Sequence, residues 1–168
     1  MSQTHPKYLR ILAIAPSTRG FGFAVLEEEE TLVDWGVKSV EGDKNTRCLA
    51  KLKEIIAHYG PDVMVLQDPS RKGSRCSARI RTLTRRMIAL GSSHKVSVKL
   101  FSRDEVRQTY FTGGAGTKHA LAEILAKRFP AELGFRLPPK RRPWMSEDYR
   151  MAIFDAVALA LAGQRSIE

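Results

Sequence analysis

Asp155 occupies the position in this chain that most needs a chemical explanation. It sits within Met151-Ala152-Ile153-Phe154-Asp155-Ala156-Val157-Ala158-Leu159-Ala160, where its helical neighbours are apolar. An uncompensated carboxylate in such surroundings costs several kcal/mol. It therefore requires a partner, either a bound metal or a basic side chain. Basic side chains are plentiful: the formal net charge is +10 and the isoelectric point is near 9.9. That balance favours a polyanionic partner, most simply nucleic acid, over a membrane. No acidic residue lies between Asp68 and Asp104, whereas Arg71, Lys72, Arg75, Arg79, Arg81, Arg85, Arg86, Lys95, Lys99 and Arg103 all do. A stretch of one sign suits a face that meets phosphates.

Two further segments carry potential binding chemistry. Leu137-Pro138-Pro139-Lys140-Arg141-Arg142-Pro143-Trp144 joins three adjacent cations to an aromatic ring. Such a loop can clamp a backbone and stack on a base or sugar, or be a solvated basic loop with Trp144 packed as an anchor. Thr112-Gly113-Gly114-Ala115-Gly116-Thr117-Lys118 sets amides at a predicted helix start, where a phosphate is well placed. It lacks the G-K-[ST] order of a Walker A loop. A plain glycine turn is the alternative.

The elements that must position these residues follow from periodicity. Apolar, β-rich runs over 8–15, 20–26 and 31–40 form a three-stranded meander, with the Glu27–Glu30 run as a solvated hairpin tip. A helix over 46–59 presents Leu49, Leu52, Ile55 and Ile56 on one face and stops at Gly60-Pro61. The run 62–67 reads as a strand buried on both faces. A helix over 74–90 aligns Cys76, Ile80, Leu83, Met87 and Leu90, flanked by Arg75, Arg79 and Arg86. A strand over 96–101, helices over 103–109 and 117–129, a Pro- and Arg-rich loop over 130–145 and a helix over 146–163 complete the chain. Ser146 with Glu147 and Asp148 would cap that last helix.

The segment Ile14-Ala15-Pro16-Ser17-Thr18-Arg19-Gly20-Phe21-Gly22-Phe23 resembles the first hairpin of RuvC-type Holliday-junction resolvases, whose pattern is I-D-P-G/S-x-R-x-x-G-[YF]. The likeness extends over roughly residues 9–163. It implies an α/β RNase H-like fold: a mixed five-stranded sheet, three antiparallel strands then parallel ones, with helices on both faces. It also implies phosphodiester hydrolysis with two divalent ions, Mg²⁺ or Mn²⁺, held by converging carboxylates. In register, the family's first acid falls on Ala15, its second on Gln67, and the first acid of its last-helix motif on Ala152. Only Asp155 keeps an acid. Asp68 and Asp148 are the nearby substitutes, although alternation turns Asp68 away from Gln67. Asp148 stands about 10 Å from Asp155 along the helix axis. Each also has a local alternative, as turn residue or cap. The resemblance gives Lys118 contact with the nucleic-acid backbone. It places Ser70 where the family has a junction-probing aromatic.

One domain over 1–168, with no membrane span and no secretory leader, is the expected organisation. Cys48 and Cys76 lack metal-site spacing, as expected of reduced thiols in the cytoplasm. Three functional readings follow. The first is a RuvC-like protein that binds branched or duplex DNA, DNA in preference to RNA, through Lys118, Arg71, Lys72, Arg75, Arg79, Arg86, Lys140, Arg141 and Arg142. Its cleavage is absent or weakened by Ala15 and Gln67, whether natural or engineered. The second is an active endonuclease whose metal ligands are Asp68, Asp148 and Asp155. The third is a non-enzymatic partner-binding module. A homodimer paired through the helix over 74–90 would place two sites on one basic surface.

Overall fold

In the computed structural model, residues 9–70, 76–111 and 116–167 are described, apart from the side chain of Glu29. The meander is present as β1 (Ile11–Pro16), β2 (Gly20–Glu27) and β3 (Thr31–Ser39). Two parallel strands, β4 (Val63–Gln67) and β5 (Ser97–Phe101), complete a mixed sheet of order β3-β2-β1-β4-β5. β1 lies at its centre, antiparallel to β2 and parallel to β4. This explains why its sequence is apolar at successive positions instead of alternating.

Helices cover both faces. On one side, α1 (Lys44–Tyr59) and α2 (Ala78–Ser93) pack Leu52, Ile55, Ile56, Leu83 and Met87 on Leu12, Ile14, Met64 and Leu66. On the other, α3 (Arg103–Tyr110), α4 (Lys118–Arg128) and α6 (Met151–Ile167) meet Ile11, Ala13, Ala15, Val63 and Val65. Both helices of the first layer are capped from sequence: Asp43 accepts from the Thr46 amide and Ser77 from the Ile80 amide. Gly60, at φ 55°, ends α1 in the left-handed conformation.

α6 lies unusually close to the sheet. A Cβ on Gly22 would stand 2.2 Å from the Ala152 carbonyl oxygen, and one on Gly163 would stand 2.7 Å from the Val65 side chain. Gln164 donates to the Glu27 carbonyl at 3.0 Å. α6 thus runs from the Ala15 end of β1 back to its beginning, which places Asp155 one turn inside the Ala15 end.

Three expectations are corrected. α6 begins at Met151 instead of Ser146, so Asp148 precedes the helix. The expected loop over 130–145 contains a short helix, α5 (Pro130–Leu133), and a 3-10 turn (Gly134–Arg136). Pro130 suits a first helical turn and Leu133 is buried beneath it. The glutamate run is not simply a solvated tip. Glu30, in left-handed conformation, pairs with Arg128 and Arg165, fastening the β2–β3 turn to α4 and α6. No described helix is long and apolar enough to cross a membrane. Cys48 and Cys76 are not joined in a disulfide, and burial raises the Cys48 thiol pKa.

Candidate nucleic-acid interface

The site is assembled at the C-terminal ends of β1 and β4. Ala13 pairs with Val65 as the last pair of the β1–β4 register, and Ala15 and Gln67 stand two residues further along their strands. Alternation sends both toward the α6 side of the sheet, with Ala13, Val63 and Val65. Ala15 also pairs with Gly22, against which Ala152 of α6 is packed. The three positions where the resemblance leads one to expect acids therefore share one end and one face of the sheet. The side chains there are Ala15, Gln67 and Ala152.

Asp155 has its partner. The Lys118 ammonium, on the first residue of α4, donates to its carboxylate at 2.9 Å and also binds Glu147. Local structure prepares this contact. Thr117 caps α4 by accepting from the Ala120 amide. Gly116 packs where a Cβ would strike the Phe111 ring. A lysine at a helix start opposes the helix dipole; here two carboxylates offset that cost. Burial raises the Asp155 carboxyl pKa, with the Lys118 ammonium opposing it. Burial by itself would lower the Lys118 pKa, but Asp155 and Glu147 outweigh it and the net direction is upward.

The other two carboxylates of the expected ligand set are engaged elsewhere. Asp148 accepts from the Arg150 guanidinium at 2.9 and 2.8 Å and from its amide at 2.9 Å, and the Arg150 bonds lower its pKa. Asp68 accepts from the Ser70 amide and hydroxyl at 2.9 and 2.7 Å, as a turn residue after β4. Its parity follows Met64 and Leu66, away from α6. Among the described residues no three His, Cys, Asp or Glu side chains cluster as metal ligands. The donor set does not fit a two-metal centre. The positions expected to be anionic are apolar or neutral, and the two acids that do converge, Asp155 and Glu147, share the Lys118 ammonium.

The basic residues divide into two kinds. Arg79 is structural: it donates to Asn45 and to the Ser17 carbonyl, both at 3.2 Å, and so ties the β1–β2 turn to α1 and α2. Lys44 holds the next carbonyl, of Thr18, at 2.6 Å. By contrast, Arg81, Arg85, Arg86, Lys140, Arg141 and Arg142 are exposed. Arg71, Lys72 and Arg75 lie outside the described residues. On α2, Leu83 and Met87 are consumed by the core, and none of the exposed large hydrophobic side chains lies on this helix.

Sequence reasoning did not anticipate the 147–150 segment. Glu147 binds Lys118, Asp148 binds Arg150, and Tyr149 lies beneath the Arg19 guanidinium, 4.6 Å from its ring centroid. This connects the β1–β2 turn, α4 and the start of α6. The only sequence signal was the misplaced lysine at a helix start.

Comparisons with known proteins agree with this architecture. No protein-family model and no curated protein matches the chain. Among solved structures, Thermus thermophilus RuvC superposes with a TM-score of 0.65 at 17% identity, covering 92% of each chain. The same protein in complex with a Holliday junction substrate gives 0.66 at 17% identity, over 95% of this chain and 94% of that one. The yeast mitochondrial Holliday junction resolvase gives 0.63 at 12% identity, over 94% and 78%. The chain has the RuvC-like RNase H fold.

Proposed function

We propose that this protein binds DNA through a RuvC-like scaffold and does not cleave it, or cleaves it only weakly. The observation that carries the reading is the Lys118 ammonium on Asp155, at a site where Ala15, Gln67 and Ala152 supply no negative charge. A site built to hold divalent ions needs converging anions. Here the converging acids Asp155 and Glu147 are taken up by an ammonium, while the chain as a whole carries a net charge of +10, a balance suited to holding phosphates. The chain acts as one domain over 1–168, in the cytoplasm, on branched or duplex DNA in preference to RNA. Pairing into a homodimer would give a two-fold basic surface. The fold of its junction-bound neighbour is compatible with this substrate class.

The test is electrophoretic binding to a four-way junction, a matched duplex, single-stranded DNA and a structured RNA. Each is run at two salt concentrations, with and without Mg²⁺ or Mn²⁺, and scored for cuts. Salt-sensitive binding, with a log–log slope of several units, and intact substrate are expected. Metal-dependent cuts abolished by Asp155→Asn would overturn the inactive reading. Salt-insensitive or absent binding would leave a partner-binding module.

A further inference from the structure

The segment 140–149 is tied down by side-chain contacts at its end and projects an exposed aromatic side chain. At the root, Glu147, Asp148 and Tyr149 are held by Lys118, Arg150 and Arg19. At the tip, Trp144 is 76% exposed, the most exposed large hydrophobic side chain among the described residues, and Met145 beside it is 44% exposed. Trp144 is therefore not an anchor packed into the core. Lys140, Arg141 and Arg142 precede it, all exposed. The Arg142 guanidinium lies 5.6 Å from the indole centroid.

We infer that Trp144 is a stacking platform for an unpaired base of the nucleic acid whose phosphates are held by Lys140, Arg141 and Arg142. Three observations point to this occupant. The indole is uncovered, although water is a poor solvent for so large an apolar surface. The adjacent charge is uniformly positive, complementary to a phosphate backbone. The segment is continuous, through Glu147, with the Lys118–Asp155 pair. A paired base already has both faces stacked; an unpaired base offers a free π-face to an aromatic ring. Arg142 on the indole adds a cation–π contact to the same stack. This rests on the nucleic-acid-binding reading and specifies its substrate: duplex with unpaired bases at a branch or fork.

The experiment compares wild type, Trp144→Ala and Trp144→Phe by fluorescence anisotropy. The probes are a labelled fork with unpaired thymines and a fully paired duplex with the same number of phosphates, at fixed salt. One stacked base is worth about 5- to 140-fold in affinity. Trp144→Ala is expected to lose that much on the fork and less than about twofold on the duplex. Trp144→Phe should retain most of the fork affinity. Replacing the unpaired thymines by abasic sites should remove the difference between wild type and Trp144→Ala. Equal losses on both probes, or none on the fork, would refute the stacking role while leaving DNA binding intact. If the wild type binds neither probe, the nucleic-acid reading itself fails. Because Trp144 is exposed, its loss should not unfold the chain, which a melting curve checks.

Discussion

Placing acids at positions 15 and 67 together should create a repulsion that a divalent ion relieves. The β1–β4 register ends at Ala13–Val65; extended by two residues at the usual strand spacing of about 5 Å, it would set Ala15 beside Gln67. Two carboxylates at that separation repel by about 3 kcal/mol at the effective dielectric of about 20 that suits sites near a surface. Gln67 is exposed, and solvent screening makes this figure a ceiling. For a chain of this size, 1 kcal/mol moves the melting temperature by about 2–4 °C. The Ala15→Asp, Gln67→Glu double variant should then melt up to about 6–12 °C below the sum of the two single effects, at neutral pH and without metal. Mn²⁺ at about a hundred times its dissociation constant returns about 2.7 kcal/mol, most of the loss. The assay is thermal unfolding of wild type, both single variants and the double variant, with and without Mn²⁺. Additive single effects together with an Mn²⁺-insensitive double variant would refute the argument. They would mean that positions 15 and 67 do not face one another.

Other consequences are more local. Gly22→Ala places a Cβ 2.2 Å from the Ala152 carbonyl oxygen. It should destabilise the fold by about 3 kcal/mol in urea unfolding, more than Gly163→Ala, whose clash is with the movable Val65 side chain. The Lys118–Asp155 pair is partly exposed, at 40% and 32%. A Lys118→Met, Asp155→Asn cycle should give a coupling of about 1–2 kcal/mol, between the surface and buried limits. Tyr59 donates to Asp34, chiefly for that reason its pKa is pushed up to about 12, and the folded state thus holds this proton more tightly than the unfolded chain. Its contribution is complete below pH 10 and is lost as the pH rises through about 12. Tyr59→Phe should reduce the fall in the urea midpoint between pH 8 and pH 11.5.

The sheet and most helices were readable because their signals are local. β1 and β4 are short apolar runs ended by Pro16 and by Gln67-Asp68-Pro69, and α1 carries its own cap and glycine stop. The start of α6 was not readable. Ser146, Glu147 and Asp148 have the composition of a cap, but Lys118 draws Glu147 away and Arg150 closes on Asp148. Both alternatives satisfy the same carboxylates, and a residue distant in sequence decides between them. Glu30 is a similar case: nothing near it in the chain announces Arg128 or Arg165. The site was half legible. Asp155 demanded a cation, and Lys118 drew attention for a different reason. Only the fold joins the two.

That junction bears on how binding and hydrolysis can separate on one scaffold. A divalent ion between carboxylates carries exchangeable ligands, so it can draw in a phosphate oxygen and a water together. The Lys118 ammonium carries one charge on a covalent tether, and Asp155 and Glu147 engage it from two sides. It compensates a half-buried acid set among apolar neighbours and ties α4 to α6. It has no open coordination position through which to activate a nucleophile. The cations that can meet a backbone, Arg81, Arg85, Arg86 and the 140–142 run, lie outside this pair and remain exposed. On the proposed reading, the ammonium would therefore leave such a scaffold able to hold phosphates while lacking the ion that hydrolysis needs.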